Sequence, residues 1–522
     1  MEVKQNIKKE YVRNLSVALI FKVFLLVGAI LVRRFLIQHA GNTINGLNSL
    51  YLSIIGFLDV AELGIGSAIS FCMYKPIVEG DNDKVSALYC LFKKAYFIIG
   101  AIVLVGGLLI MPFLPTLAKD YQSANVDLYL TYALMLASVV LTYAFSARTS
   151  LINAYKNNHI TTTINSSGLL LQYLSQIAVI VITKSYVAYL ICRIVSACVQ
   201  WLATYLISDK KHKNIISNKQ KVDKQTMGEV AKNIKAMFMH KVGHVIIRES
   251  GNIIISAIAG VVVLGFYSNY TAIMMAMWGM LILFFTPLTS IIGHLYVKAD
   301  KNEVKSYYNF FFALNFIIGA VFFLGYYGVI DNVITLFFGD NLEMEKLVSL
   351  SITLNYFIMF LRQSTLLFRD STGTFYNDRW KTLIEGIVNI ILSILFVNWF
   401  GVVGVAWATI LTNLFICHTV EPYVLFKHAF KSSVKKQYLT CYLYVALFVL
   451  ALFGLHFTMQ TFDNNLVELL VNGCIAVAFA LVISGVVIAT NKDFRTYFGV
   501  MFLKKKAGNS PTEEIATTPT EE

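Results

Sequence analysis

Fourteen stretches of this chain are each apolar over about 20 residues, the length a helix needs to cross a bilayer. They lie near 12–34, 46–72, 91–115, 126–147, 161–183, 185–207, 242–263, 266–292, 307–329, 347–368, 382–400, 402–426, 438–458 and 466–489. Backbone groups in hydrocarbon must satisfy one another, which leaves helices or closed barrels. These runs show no strand-like alternation, so the expected fold is an all-α polytopic membrane protein. Composition agrees, with 57% hydrophobic and only 14% charged residues and a mean hydropathy of +0.65; soluble chains carry roughly a quarter charged residues. The first run carries Lys22 and ends in Arg33-Arg34 instead of a small-residue cleavage site, so it reads as a span and not as a signal peptide.

The net charge is +13. With the N-terminus placed inside, one set of connecting segments holds most of the Lys and Arg, while the other holds only Arg33, Arg34, Lys119, Lys184 and Lys346. That is the positive-inside bias, and it places both termini in the cytoplasm. Topology thus accounts for the basic charge, and a nucleic-acid partner has no separate support. The seven cysteines show no paired spacing, so neither a metal site nor a disulfide framework is expected.

The chain also repeats itself. A shift of 219 residues brings Lys22 onto Lys241, Ala40-Gly41 onto Ala259-Gly260 and Gly46 onto Gly265. The same shift lays Phe97-Ile98-Ile99-Gly100-Ala101 on an identical Phe316-Ile317-Ile318-Gly319-Ala320. Further on, Arg148-x6-Tyr155-x-Asn157 matches Arg369-x6-Tyr376-x-Asp378 at an offset of 221. We read an ancient duplication. It divides the chain into an N-lobe of six helices (1–207), a basic cytoplasmic linker (208–240), a C-lobe of six helices (241–427), two additional helices (428–490) and a cytoplasmic tail (491–522), expected to be disordered from about 507.

Ionisable groups inside spans are costly and usually face a cavity or a partner. In the seventh span Lys241, His244, Arg248 and Asn252 fall within about 80° of one another on the helical wheel. In the first, Lys22 and Arg33 are about 20° apart, and the repeat maps them onto Lys241 and Asn252. Two such stripes, with Arg34 beside them, would make a cationic cavity suited to a pyrophosphate, which Arg binds bidentately and Lys as a point charge. Snorkelling of Lys22 and Lys241 towards the cytoplasmic face is the alternative, as is outer-end capping by Arg33-Arg34. Glu249 is placed to neutralise Arg248. The second span carries Asp59, Glu62, Gly66 and Ser70 at i, i+3, i+7 and i+11, so one helical face is expected to hold two carboxylates, a small residue and a hydroxyl. Those carboxylates read either as a cation- or proton-coupling site or as counter-charges to the basic stripe. Arg193, Arg362, Glu385, His418 and Glu421 read more simply as local pairings or interface anchors. Gly64-x-Gly66 follows no strand, so a dinucleotide fold is excluded, and no cofactor motif is present.

Four motifs carry a family resemblance: Ala61-Glu62-Leu63-Gly64-Ile65-Gly66-Ser67-Ala68 with Tyr74-Lys75-Pro76, Lys93-Lys94-Ala95-Tyr96, Gly265-Phe266-Tyr267-Ser268-Asn269-Tyr270, and Glu421-Pro422-Tyr423-Val424. Over about 1–430 the chain resembles the Wzx-type polysaccharide repeat-unit flippases of the multidrug/oligosaccharidyl-lipid/polysaccharide (MOP) exporter superfamily. The resemblance implies two pseudo-symmetric six-helix lobes in a V around a cationic cavity, working by alternating access. It implies an undecaprenyl-diphosphate-linked oligosaccharide as substrate, moved to the outer leaflet of a bacterial plasma membrane for capsule, exopolysaccharide or O-antigen. H+ or Na+ are candidate coupling ions, and membrane lipids and polymerase or assembly proteins candidate partners. One departure is Ser250-Gly251-Asn252, where relatives often carry an Asp before the Asn; it moves coupling towards Glu62. The rival readings are a cation-coupled drug antiporter, which would want an acidic cavity, and a polymerase or a scaffold of polysaccharide assembly. No external loop reaches 20 residues to house a polymerase's chemistry, so the expectation is a transporter and not an enzyme.

Overall fold

The computed structural model describes residues 21–22, 24–62, 65–218, 220–285 and 288–499. Among them every regular element is helical. Ten helical segments among the described residues are long and apolar enough to cross a membrane, from Asn82–Leu117 to Asn465–Thr490. The chain is therefore an all-α, multi-pass membrane protein. The 507–522 tail lies outside the described residues.

Of the other expected spans, the first (12–34) lies partly outside the described residues, and three depart from simple rods for local reasons. The second is interrupted: the helix Asn42–Leu58 gives way to a single 3-10 turn, Asp59–Glu62, before the helix Ile65–Glu79. Lys224–Ile258 is long enough at 35 residues but carries several charges along its length. Lys346–Leu361 stops at Arg362 and resumes as Gln363–Ser371. The 208–240 segment is largely helical: one helix runs on to Ser217 with a kink at His212, and the next starts at Lys224, capped by Asp223 accepting from the Thr226 amide. Lys and Gln are good helix formers, so a charge run does not by itself end a helix. The first extension is stapled by Arg148, whose guanidinium pairs with Asp209, donates to the Ser208 hydroxyl and lies 4.1 Å from the Tyr205 ring.

The helices gather into two compact units. The first holds the chain up to Ala276 with Ile334–Met344 and Thr382–Ala408. Within it, small residues let helices approach closely, the usual way membrane helices pack. A Cβ at Gly107 would fall 2.5 Å from Leu136, and one at Gly243 would fall 2.4 Å from the Thr382 carbonyl oxygen. The second unit holds Met277–Val333, Glu345–Lys381 and the chain from Thr409. Its core is aromatic. Tyr308 sits among Phe312, Phe368, Phe426 and Phe430, its hydroxyl 3.0 Å from that of Thr365, and Phe357 stacks on Phe448 at 3.5 Å. Two π-helical turns, Asn413–Cys417 and Phe426–Phe430, interrupt the Val403–Phe430 span. Such bulges recur at functional positions in helices.

Candidate functional site

The glycines that repeat in sequence repeat in conformation. Gly41 turns the chain from the 24–40 helix into Asn42–Leu58 with φ +91°, and Gly260 turns Lys224–Ile258 into Val261–Phe285 with φ +100°. Both angles lie in the region that L side chains avoid. Five residues on, the two helices cross reciprocally. A Cβ at Gly46 would fall 1.9 Å from the Val261 carbonyl oxygen, and one at Gly265 would fall 2.5 Å from that of Asn42. Only glycine lets the backbones meet there. Amides close the crossing: Asn42 donates to the Val262 carbonyl at 3.2 Å, and Asn45 donates to the Gly265 carbonyl at 3.1 Å and to Asn269 Oδ1 at 2.9 Å.

The first helix of each repeat binds the second helix of the other. Arg33 Nη1 donates to Ser268 Oγ and Asn269 Oδ1, both at 3.0 Å. At the equivalent position in the repeat, Asn252 Nδ2 donates to Ser53 Oγ at 2.9 Å. Arg33 is half-buried and anchored on the crossing. Arg34 reaches the Leu336 carbonyl at 3.5 Å, and Lys22 is exposed.

On Lys224–Ile258, His244 and Arg248 are exposed and share a face with Asn252. The Lys241 side chain lies outside the described residues. Arg248 Nε donates to Glu249 Oε1 at 2.5 Å, yet the Arg248 side chain keeps 58% of its surface accessible while Glu249 keeps 13%. Glu249 is pressed against the Asn42–Leu58 helix, where a Cβ at Gly56 would meet its carboxyl at 2.9 Å. Arg248 is ten residues from the Ile258 end of its helix, about 15 Å along the axis.

The acidic stripe takes a different form from the helical-wheel expectation. Because the helix breaks at Asp59–Glu62, the four positions do not continue along one helical face, and Leu63-Gly64 lie outside the described residues. Each carboxylate is instead held by a tyrosine from another helix. Tyr143 donates to Asp59 in a short hydrogen bond, Tyr96 donates to Glu62 at 2.9 Å, and the two rings stack with centroids 6.4 Å apart. Gly66 stays next to Glu62 for a reason the wheel does not show: a Cβ there would lie 2.5 Å from the Tyr96 hydroxyl. Asp59 is also within electrostatic range of Arg248. Ser70 is half-buried on the following helix. Tyr143 had no signal in the sequence; Tyr96 stood in a quoted motif without an assigned role.

The second unit carries a separate charged cluster. Glu421 is fully buried and bound by the Arg362 fork, with Nε to Oε2 at 3.1 Å and Nη2 to Oε1 at 2.6 Å, and by Lys381 at shorter range. Arg369 lies 3.8 Å from the same carboxyl and pairs with Asp370 and Asp378 at 2.9 Å. Arg362 also donates to Asn413, in the π turn. His418, one helical turn before Glu421, bonds the Ile358 carbonyl at 3.0 Å. Every charge in this cluster has a protein partner, which marks it as an internal clamp.

The described residues form an all-helical, multi-pass bundle in which the first helix of each repeat is hydrogen-bonded to the second helix of the other. No protein-family model and no curated protein sequence matches the chain. Solved structures do. The chain is similar to the lipid II flippase MurJ in its inward closed conformation, with a TM-score of 0.65 at 15% identity, over 90% of this chain and 98% of that one. It is similar to an inward-facing multidrug-resistance MATE transporter of the MOP superfamily, with a TM-score of 0.58 at 12% identity, over 80% of this chain and 98% of that one. The outward-facing MATE conformation follows at 0.53 and 13% identity, over 82% and 97%. At these identities the likeness is one of fold. These neighbours are flippases and transporters, not enzymes.

Proposed function

We propose that the protein is a flippase for a prenyl-diphosphate-linked oligosaccharide, undecaprenyl diphosphate being the carrier the family resemblance implies. It would carry a repeat unit from the inner to the outer leaflet of a bacterial plasma membrane for capsule, exopolysaccharide or O-antigen. The observation that carries the reading is the exposed Arg248 guanidinium, with His244 one turn away on the same face. A diphosphate is the lipid-borne group such cations bind best. Lys22 and Arg34 would add to the positive field, as the sequence also suggests for Lys241, and Arg33 and Asn252 fix the helices that present it. The MurJ-like fold supports a lipid-linked substrate. Alternating access would move the lobes, 1–207 and 241–427, about the bound headgroup while the prenyl chain stays in lipid.

Asp59 and Glu62, each with its tyrosine, are the candidate coupling carboxylates, with H+ or Na+ as the ion, and Glu249 is the counter-charge to Arg248. A drug antiporter with an acidic cavity fits the exposed Arg248 less well. Native mass spectrometry of the purified protein tests the diphosphate assignment. The wild type should retain a prenyl-diphosphate lipid that the Arg248→Ala/His244→Ala variant releases. Equal retention in both would remove the diphosphate from this face.

A further inference from the structure

The first unit encloses a second polar space that the diphosphate reading does not use. A cavity of about 490 Å³ opens among the helices Asn82–Ile110, Leu128–Ala154, Asn158–Thr183 and Tyr186–Ser217. One wall is a stripe of hydroxyls, Ser138, Thr142, Ser146 and Thr149, within about 80° on the face of one helix. Each spends its proton on a carbonyl of its own helix: those of Met135 and Val139 at 2.7 Å, Thr142 at 2.9 Å and Phe145 at 3.2 Å. The stripe therefore presents oxygen lone pairs, a ladder of acceptors.

The facing wall supplies donors and charge. Arg193 lines the cavity, and its Nε is buried with no hydrogen-bond partner among the described residues. A buried donor left unsatisfied is costly, and in native proteins it usually has a bound partner. Gln200 lies alongside, seated where a Cβ at Gly168 would fall 2.3 Å from its Cγ. Glu62, held by Tyr96, also lines the cavity, as does Phe145.

We infer that this cavity is a carbohydrate site that takes a short neutral oligosaccharide, the sugar portion of the transported molecule. A sugar hydroxyl both donates and accepts. It can give its proton to the hydroxyl ladder and accept from Arg193 Nε, a pairing that neither a simple cation nor a simple anion makes. The volume lies within the range of small-molecule pockets, with room for a disaccharide-sized ligand. The inference rests on the flippase reading for the source of the sugar, but not for the chemistry of the cavity.

Saturation-transfer NMR on the full-length protein in nanodiscs, with a panel of lipid-free di- and trisaccharides of hexoses and N-acetylhexosamines, tests it. Members of the panel should bind the wild type with excess inorganic pyrophosphate present. Thr142→Val and Thr149→Val keep the wall's shape and remove one acceptor each; each should weaken binding about tenfold, as should Arg193→Gln. Unchanged elution and melting of the two valine variants will show that they fold. No binding by any panel member, or binding untouched by the wall variants, overturns the assignment. Sugar binding without flipping would sink the flippase reading and leave the cavity standing, and flipping without sugar binding would do the reverse.

Discussion

Replacing Glu421 with alanine should be among the most damaging single changes in the second unit. The carboxylate is 0% exposed, and the two cations closest to it are nearly as dry, Lys381 at 3% and Arg362 at 10%. Removing it leaves both cations, with Arg369 behind them, facing a void in place of a counter-charge. Breaking a buried pair by deleting one partner costs about 3–5 kcal/mol. Arg362 keeps its bond to Asn413 and Arg369 keeps Asp370 and Asp378, so we expect the lower half of that range. Glu421→Gln should cost less, because the amide still accepts one hydrogen bond while losing the charge. Adding Lys381→Met to Glu421→Ala should recover part of the loss, since an apolar replacement of a buried ion pair is often neutral or better. Chemical unfolding in micelles, followed by the chain's five tryptophans, gives the three values. A loss under about 1 kcal/mol in Glu421→Ala, or a further loss on adding Lys381→Met, would show that the clamp is not buried as described.

The helix crossing and the repeat turns give further expectations. Gly46→Ala and Gly265→Ala each drive a methyl group into a carbonyl oxygen, at 1.9 and 2.5 Å. Overpacking of that kind costs about 1–3 kcal/mol, with Gly46→Ala the worse of the two in the same unfolding assay. Gly41→Ala and Gly260→Ala each put a side chain at a positive φ, a strain of roughly 1–3 kcal/mol. Only Gly260→Ala also meets a side chain, Asp120 Oδ2 at 2.8 Å, so it should melt lower than Gly41→Ala; the reverse order would argue against that contact. Tyr96→Phe removes the hydroxyl that holds Glu62 and should lower ion-driven flipping while flipping down the lipid's own gradient persists. Equal loss of both would make Tyr96 structural.

Much of this was legible in sequence, and the rest was hidden for identifiable reasons. Spans announced themselves because apolar length is a one-dimensional property. The repeat was legible for a reason that surfaced later: Gly41 and Gly260 hold the same turn, and Gly46 and Gly265 the same backbone contact, so neither pair tolerates a side chain. The break at Asp59–Glu62 carried no proline to announce it, and the wheel projected a face across it. Residues 208–240 looked like a loop because charge suggests solvent, but it does not forbid helix. The partners of Glu421 stand 59 and 40 residues away, and no local pattern joins Arg362 or Lys381 to it. Tyr96 and Tyr143 were hidden for the same reason, since a tyrosine in an apolar helix looks like core until a carboxylate is found beside it.

The central claim is transport of a lipid-linked sugar through a face built on Arg248. The direct measurement is flipping of a fluorescent undecaprenyl-diphosphate oligosaccharide in proteoliposomes, with H+ and Na+ gradients imposed in turn and Arg248→Ala alongside. The account predicts that the wild type moves the lipid between leaflets and that Arg248→Ala, equally folded and inserted, does not. No movement by the wild type under any gradient, or equal movement by the variant, would contradict it.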